Sequence, residues 1–473
     1  MLKKWVQMNE IERMRLSRRG VVVLIGVVFA TRGLAATPTY GIKEAVELAQ
    51  AQNPDIAIAR KKVQVARGGL IEARSGYLPS VVSSGLVRER QHQSDSRLRD
   101  EDYSANVRVI QNVYSGGAVS SQVAIAQLNL EKQEYEYQAV ANRVAMDVRI
   151  AFNELLLNRA KIRVREQSVG VLQQELKTQK ERLGAGVVGT LNVSRAEVAL
   201  ANEQPELIDA QTQLQNSYLR LSELFGMDLK EETANAQFEI AGQLQYQSQH
   251  PDLNECLVRA DKERPEIKAR QKEVEIEERQ EKLDRSALHP WLEIFSGYEL
   301  YNERDPQVGH EFNHGYVLGL NARWHIFDGF ATKGRVIATR ARREAAAQTL
   351  EATRRSVASE VRSAFLDLQQ AERVLQAETR NVQTADESLE IAKGNLAAGL
   401  GTQLDVLQGA SDVTRTRTTR LSAIYLHNAA LAKLARAVAI DPNELELKTS
   451  DAERASGRHI VDLTQPPDKL SQR

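Results

Sequence analysis

The strongest metal-binding pattern of this sequence lies at residues 310–314, which match the H-E-x-x-H motif letter for letter. Zinc-protease chemistry needs both histidines on one face of a helix, one turn apart, with the glutamate beside the metal-bound water. Gly309 and Gly315 flank the motif, and an alternating, strand-like stretch begins at Tyr316. We therefore expect an exposed loop and no protease here, with an incidental surface metal site left as an alternative.

Other catalytic constellations are missing from the sequence. Cys256 is the single cysteine, so an intrachain disulfide is excluded and no histidine is placed to activate the thiol. No dinucleotide-binding glycine pattern, P-loop or Ser-His-Asp arrangement can be identified from spacing. The 63 basic residues balance the 63 acidic ones, which argues against general nucleic-acid binding. We expect no enzyme activity, no cofactor, no metal centre and no nucleic-acid partner.

Two long stretches, 118–183 and 331–396, dominate the chain. Each could form a helix on the order of 100 Å long, far longer than a usual globular helix. Their apolar residues recur at steps of three, four or seven, which is typical of long helices that lie side by side. The second stretch repeats the first at a constant offset, which indicates an internal duplication. The matching residues are Val144, Val148, Ala151, Leu155, Ile162, Val169, Leu172, Leu176 and Leu183, against Val357, Val361, Ala364, Leu368, Leu375, Val382, Ala385, Leu389 and Leu396.

Stretches with a period of two precede the long helices, as one pair in each half. A strand of about ten residues with one apolar and one polar face can span an outer membrane, and a half-buried strand of a soluble sandwich would look similar. A secretory signal and the lack of other strands in the sequence favour the membrane. The stretches are 80–88, 103–113, 291–300 and 315–327.

Four strands cannot close a barrel, and an open sheet edge cannot exist in lipid, so several chains must combine their strands. Two copies would give eight strands around a filled interior, whereas three would give twelve strands and room for a lumen. The polar residues of the alternating stretches would then face water inside the barrel: Arg108, Asn112, Glu293, Glu299, Asn321 and Arg323.

The N-terminal residues 1–36 have the composition of a secretory signal peptide. A basic head precedes an apolar run from Val21 to Ala30, which is too short for a confident membrane span. An uncleaved inner-membrane anchor is the alternative. The sequence thus predicts a destination in the bacterial envelope outside the inner membrane.

The remaining chain divides into two repeats of the same order: two helices, a strand pair, a long helix, a glycine-bearing turn and a return helix. Pro205 is expected to kink the first return helix. The predicted boundaries are 37–226 for the first repeat, 227–251 for a linker, 252–441 for the second repeat and 442–473 for a polar C-terminal tail. The fold class is therefore mainly α with a small β part.

The turn segments 186–193 and 399–407 have similar sequences. Together with the duplicated order of elements, they indicate a resemblance to a known family. The chain resembles the TolC-like outer membrane efflux proteins over essentially its whole mature length. This resemblance implies a homotrimer with a twelve-stranded barrel in outer membrane lipid and a helical tunnel across the periplasm. Such proteins are passive conduits of tripartite efflux or type I secretion systems, and they work with a periplasmic adaptor and an inner-membrane pump. A periplasmic coiled-coil scaffold or adaptor is the alternative function.

The same resemblance implies a gate at the pore entrance, with Asp405 matching an aspartate that forms a ring in the family. Gln408 stands where the best-known members have a second aspartate, and Asn192 replaces an aspartate of their locking links. Leu191, Leu396 and Gly401 also replace locking residues, so we expect the closed state to be held differently, with apolar contacts as one option. Asp405 also fits a helix N-terminal residue that the dipole favours, and both roles can hold together.

Small and apolar residues occupy the turns that join each long helix to its return helix. Their exposed apolar character, together with the resemblance, predicts that the tip of an adaptor hairpin docks there, whereas simple turn chemistry is the alternative. The predicted docking residues are Gly186, Val187, Val188, Gly399, Leu400 and Gly401.

Overall fold

The computed structural model describes residues 38–89, 101–227, 238–246, 248–302 and 312–440. The predicted signal peptide and the C-terminal tail lie outside the described residues, as do parts of the linker and of both strand-joining loops. None of the helices in these ranges is long and apolar enough to cross a membrane.

The helices of the two halves have equal lengths of 11, 22, 67 and 36 residues. This equality supports an internal duplication, and the predicted fold class, mainly α with a small β part, is confirmed. In the first half the helices are α1 (Ile42–Gln52), α2 (Pro54–Ser75), α3 (Ala118–Gly184) and α4 (Thr190–Phe225). In the second half they are α5 (Leu253–Glu263), α6 (Pro265–Ser286), α7 (Ala331–Ala397) and α8 (Gln403–Val438).

Prolines begin the second helix of each half, where a missing N–H costs nothing. Pro54 is the first residue of α2, and the Asn53 side chain accepts hydrogen bonds from the next two backbone N–H groups. Pro265 is likewise the first residue of α6, whose N-cap residue, Arg264, makes no side-chain capping bond. Pro205 lies inside α4, which continues through it.

The apolar ladder predicted for the long helices is buried where they pack against their neighbours. In α3 it forms one core cluster around Val148 and Leu155, which also contains Phe225 at the end of α4. In α7 it forms a second cluster around Val361 and Leu368, with the end of α8. α3 packs along α4, α6 and α8, and α7 packs along α8 and α6. Each long helix thus lies alongside its neighbouring helices, as the seven-residue spacing predicts.

A small parallel sheet joins the start of the first half to the linker. β1 (Thr39–Tyr40) pairs with β4 (Glu239–Ile240), and Phe238 packs against the rings of Tyr40 and Phe225. The expectation that the chain holds no further strands is therefore wrong. Strands of two residues carry no period that a sequence could show, because their position is set by the packing of Phe238 and Ile240 on the helices.

The larger sheet is antiparallel, with the order β2-β3-β5-β6 among the described residues. Its strands are β2 (Ser80–Glu89), β3 (Glu101–Tyr114), β5 (Trp291–Asn302) and β6 (Phe312–Arg323). The prediction that the last strand reaches residue 327 is wrong, since β6 ends at Arg323. Arg323 pairs with Trp291, the first residue of β5. Pro290, which precedes Trp291, has no N–H to continue the ladder, so the pairing with β6 ends there.

Candidate functional site

The H-E-x-x-H motif does not lie on a helix where it is described. His310 and Glu311 are outside the described residues, and β6 begins at Phe312, so His314 lies on a strand. The His314 ring nitrogen lies 2.5 Å from the hydroxyl of Tyr298 on β5. In the part of the chain that the structure describes, no group of three or more His, Cys, Asp or Glu residues could hold a metal ion. This arrangement does not provide the helical face that the protease chemistry needs.

Polar and apolar side chains are divided between the two faces of the larger sheet. Residues paired across neighbouring strands share a face, and Asn112 pairs with Glu293, which pairs with Asn321. The same register places all six residues predicted to line a lumen on one face, which we call the polar face: Arg108, Asn112, Glu293, Glu299, Asn321 and Arg323.

Charged and amide groups contact one another on the polar face. The Arg108 guanidinium lies 3.1 Å from the carboxylate of Glu299, and the Asn321 amide donates to the Glu293 carboxylate at 2.8 Å. Asn112 donates to the carbonyl of Gly76, at the end of α2, at 3.4 Å. These side chains are partly exposed, so water can screen their charges.

Phe295 breaks the alternation of β5, and the structure gives the reason. Its ring lies over Gly319 of β6, where an added Cβ would be 2.4 Å from the ring, and the Arg108 guanidinium lies 5.4 Å from the ring centroid. An aromatic ring packed over a strand glycine protects backbone that has no side chain of its own. Phe295 is therefore compatible with a polar face.

The opposite face of the sheet, the apolar face, exposes large hydrophobic side chains. Tyr316, Leu318 and Leu320 of β6 are 93%, 78% and 64% exposed, and Val81 and Val87 of β2 are 69% and 78% exposed. β2 and β6 are also the two edge strands, with no partner on their outer sides among the described residues. Such a surface cannot stay in contact with water at low cost, nor can its edges stay open in lipid.

At the other end of the molecule, the long helices end in matching turns. Gly186 and Gly399 adopt left-handed φ angles of 72° and 73°, which favour glycine. The next residues, Val187 and Leu400, donate backbone hydrogen bonds of 2.9 and 2.8 Å to carbonyls five residues earlier, which is the Schellman helix end. The side chains of Val187 and Leu400 are 71% and 83% exposed. The left-handed backbone of the turns explains why glycine occurs at positions 186 and 399. It does not explain why the exposed residues Val187 and Leu400 are apolar.

Asp405 caps helix α8. Thr402 is the N-cap residue; its side chain accepts from the Asp405 backbone N–H, while its own N–H donates to the Asp405 carboxylate at 2.8 Å. The hydrogen bonds from the Thr402 hydroxyl and backbone N–H lower the pKa of Asp405, so the carboxylate stays charged. In the first half Gly189 is the N-cap residue of α4 and has no side chain to bond, so Asn192 has no capping box.

Gln408 bonds along its own helix. Its amide donates to Asp412, one turn on, at 3.4 Å, and Asp412 also accepts from Arg415 at 2.7 Å. The structure thus places the three residues predicted for the pore entrance in the first turns of the return helices, Asn192 on α4 and the other two on α8.

A polar contact that the sequence did not predict joins the two hairpins near their tips. The amide of Gln403, the first residue of α8, donates to the Glu175 carboxylate of α3 at 3.3 Å. Gln179 donates to the same oxygen at 2.8 Å, and both glutamines are buried, at 5% and 2% exposure. Further along, the hydroxyl of Thr414 bonds that of Ser168 at 3.1 Å. No local pattern reveals such pairs, because the partners lie more than 200 residues apart.

The long helical hairpins and the two-faced strand sheet define a class of envelope protein that combines a periplasmic helical body with membrane strands. A protein-family model described as "Outer membrane efflux protein" matches residues 45–227 and 256–439. The chain therefore belongs to the outer membrane efflux protein family, and the resemblance found in the sequence is confirmed. Its place is the outer membrane, with a long periplasmic part.

Individual relatives match over shorter lengths. The alkaline protease secretion protein AprF of Pseudomonas aeruginosa is 26% identical over 178 residues, 37% of each chain. CyaE of Bordetella pertussis is 26% identical over 311 residues, 64% of each chain. The chain thus spans less than two thirds of these relatives' lengths. The solved CmeC outer membrane channel of Campylobacter jejuni has a TM-score of 0.72 at 16% identity, over 88% of this chain and 90% of that chain, which shows the shared fold.

Proposed function

We propose that this chain is a passive, trimeric export duct of a tripartite efflux or type I secretion system. The larger sheet carries this proposal, because it has one polar face, one exposed apolar face and two open edges. Three copies would close twelve strands into a barrel whose lumen is wide enough for water. A periplasmic scaffold would leave the exposed apolar face without a purpose.

The polar face would line the lumen. Arg108 and Glu299 offer opposite charges within 3.1 Å of each other, so that neither sign dominates this part of the wall. A mixed lining suits a conduit that lets solutes pass without binding them. The long helices, at about 1.5 Å of rise per residue, would continue the tunnel by on the order of 100 Å across the periplasm.

The gate would lie at the hairpin tips. Three copies of Asp405 around one axis would form an acidic ring, and its lowered pKa keeps the ring charged. The hydrogen bond from Gln403 to Glu175 would hold the second hairpin against the first in the closed state. Opening would break this buried hydrogen bond, whose net contribution is about 1 kcal/mol.

The exposed tips would dock a periplasmic adaptor, which in turn would connect an inner-membrane pump. Val187 and Leu400 are mostly exposed, and the glycine-bearing turns beside them let another helix tip approach closely. AprF is by its name a secretion protein, and the family is named for efflux. The cargo of this chain would accordingly be a small molecule or a secreted polypeptide.

Ion conductance of the purified protein in planar bilayers tests the duct and its ring together. We expect a trimer that resists heating on a gel, fractionates with the outer membrane and conducts ions. Trivalent cations should block the parent channel and block Asp405→Ala far less. A monomer that stays with the inner membrane would contradict the duct, and equal block of both proteins would contradict the ring.

Gln403→Ala should raise the fraction of time that the channel is open, whereas Gln408→Ala should not. Gln408 is a matched glutamine that bonds only within α8.

A further inference from the structure

A cluster of exposed aromatic and aliphatic side chains follows β6, at the junction with α7. We call it the junction patch: Trp324, Ile326, Phe327 and Phe330, which are 59%, 82%, 73% and 67% exposed. The rings of Phe327 and Phe330 meet edge to face, with centroids 5.4 Å apart. The Trp324 indole N–H donates to the carbonyl of Leu288 at 3.1 Å, so its one polar atom is satisfied while most of the ring stays exposed.

The junction patch continues the apolar face of the sheet. Trp324 and Ile326 follow Leu318, Leu320 and Ala322 in the same alternation, although they lie after the end of β6. The surface that faces lipid therefore extends to the end of the sheet from which the helices leave. Aromatic side chains at such a level belong to the boundary between acyl chains and headgroups.

A strained backbone holds Phe330 in place. It is the N-cap residue of α7 and adopts a left-handed φ of 67°, whereas the N-cap residue of α3 in the first half is Gly117, with a φ of 86°. A left-handed conformation costs a non-glycine residue stability that glycine would not lose. The Phe330 ring is 67% exposed and contacts the Phe327 ring and the Lys333 ammonium group rather than a buried core, so a binding partner outside the chain would give the strained conformation a benefit.

A cation lies beside the rings. The Lys333 ammonium group is 5.7 Å from the centroid of Phe330, and Lys333 has no ion pair with any residue that the structure describes. Arg335, two residues further along α7, donates to the hydroxyl of Thr332. The acidic neighbour, Asp328, already accepts the backbone N–H of Thr332 at 2.8 Å. The patch thus combines lipid-facing rings with a cation that can bind an anionic headgroup.

We propose that the junction patch and Lys333 form a binding surface for anionic phospholipids of the periplasmic leaflet of the outer membrane. The rings occupy the acyl-headgroup boundary, and Lys333 contacts the phosphodiester of a lipid such as phosphatidylglycerol. One basic side chain at an anionic leaflet should enrich that lipid about fivefold over a neutral one. The inference rests on the outer membrane position of the sheet and goes beyond the duct function.

Tryptophan quenching by brominated lipids tests this surface directly. The chain has three tryptophans, and the double variant Trp5→Phe/Trp291→Phe leaves Trp324 alone. The full protein is placed in vesicles of phosphatidylcholine with one third phosphatidylglycerol, and either lipid is supplied with brominated acyl chains. Per mole of brominated lipid, we expect phosphatidylglycerol to quench Trp324 about fivefold more strongly than phosphatidylcholine.

Lys333→Gln should bring the two lipids to equal quenching, and Phe330→Gly should reduce the preference. Lys393→Gln removes the same charge at the far end of α7 and should leave the preference unchanged. Equal quenching in the protein with Lys333 intact would overturn the proposal, and so would the absence of quenching by either lipid, which would show that a neighbouring copy covers the patch. Ion conductance of the same vesicles tests the duct separately.

Discussion

Single side chains hold the helix junctions of this chain, and Arg264 is the clearest case. Its side chain is 3% exposed, pairs with Glu360 at 2.7 Å and donates to the carbonyl of Ala437 at 2.9 Å. Asn53 plays this part in the first half, where it donates to the carbonyl of Leu224 at 2.9 Å. Each residue thus ties the start of a second helix to the end of the return helix of its half.

Arg264→Ala should lower the free energy of unfolding by roughly 2 kcal/mol, because it removes the buried guanidinium that bonds the Ala437 carbonyl, while Glu360 keeps its pairing with Arg436 at 2.7 Å. Chemical denaturation followed by far-ultraviolet circular dichroism measures this loss. Arg415→Ala removes an arginine whose side chain is 75% exposed and should cost about 0.5 kcal/mol or less. Equal losses of unfolding free energy in both variants would mean that the buried junction stabilises the fold no more than an exposed ion pair does.

Phe330 tests the cost of a left-handed backbone within one protein. Phe330→Gly and Phe330→Ala both remove the ring, but only glycine relieves the conformation. We therefore expect Phe330→Gly to be more stable than Phe330→Ala by about 1 kcal/mol in the same denaturation experiment. Gly117→Ala should destabilise by a similar amount, since an added Cβ there has space and only the φ angle opposes it. A Phe330→Ala variant that is as stable as Phe330→Gly, or more stable, would show that the left-handed conformation carries no cost here.

His427 should make the stability of this chain depend on pH. It is fully buried, with the centroid of the Tyr246 ring 4.8 Å from its own and Asn428 beside it, and the charges of Glu372 and His250 also act on it. Burial lowers the pKa of His427, so the unfolded chain takes up this proton at a higher pH than the folded chain does. The contribution of His427 is therefore fully present above about pH 6.5 and is lost as the pH falls towards its lower folded pKa.

His427→Gln should flatten this dependence, because glutamine does not titrate. The denaturation midpoint of both proteins is measured at about pH 7.5, 6.5 and 5.5, which spans the range where the contribution of His427 is expected to change. His289→Gln replaces a histidine outside this core and should retain the slope of the parent. If the denaturation midpoint of His427→Gln changes with pH as steeply as that of the parent, the pH dependence arises from other titratable groups.

At the scale of elements, the two hairpins share a length but differ in how their return helices begin. Asp405→Ala removes the capping box of α8, and we expect the first turn of that helix to fray, at a cost of about 1 kcal/mol. Hydrogen exchange of the backbone N–H groups in residues 404–408 should become faster. Asn192→Ala, at the matching position of α4, should leave exchange unchanged since no capping box exists there. Equal effects would show that the cap is unimportant at these tips.

The elements were largely predictable, whereas the contacts between them were not. The long helices end within a residue or so of their predicted ends, because glycines and a seven-residue apolar spacing are local signals. The parallel pair β1 and β4 and the end of β6 depend on partners far along the chain. The Gln403 contact with Glu175 is of the same kind. The capping box could have been found, since Thr402 and Asp405 have the spacing of that motif.

At the scale of the whole molecule, the open edges of the sheet require other copies of the chain. β2 and β6 must pair with strands outside their own chain if the sheet lies in lipid, since unpaired backbone groups there cost several kcal/mol each. Within the described residues, one copy of the chain supplies four strands to this sheet, β2, β3, β5 and β6. The number of copies then fixes whether the barrel is filled or carries a lumen.

Cysteine cross-linking between β2 and β6 of neighbouring copies decides that number. Ser84→Cys is combined in turn with Asn313→Cys, Gly315→Cys or Val317→Cys, which lie on the same face of the sheet as Ser84. A disulfide needs Cβ atoms about 4 Å apart, so only one register will allow it. The native Cys256 is buried and is replaced by serine in all variants. We expect one pair to give a covalent trimer on a denaturing gel without reductant, and Ser84→Cys alone to give none. A ladder that stops at the dimer would indicate an eight-stranded barrel with a filled interior, which could not serve as a duct.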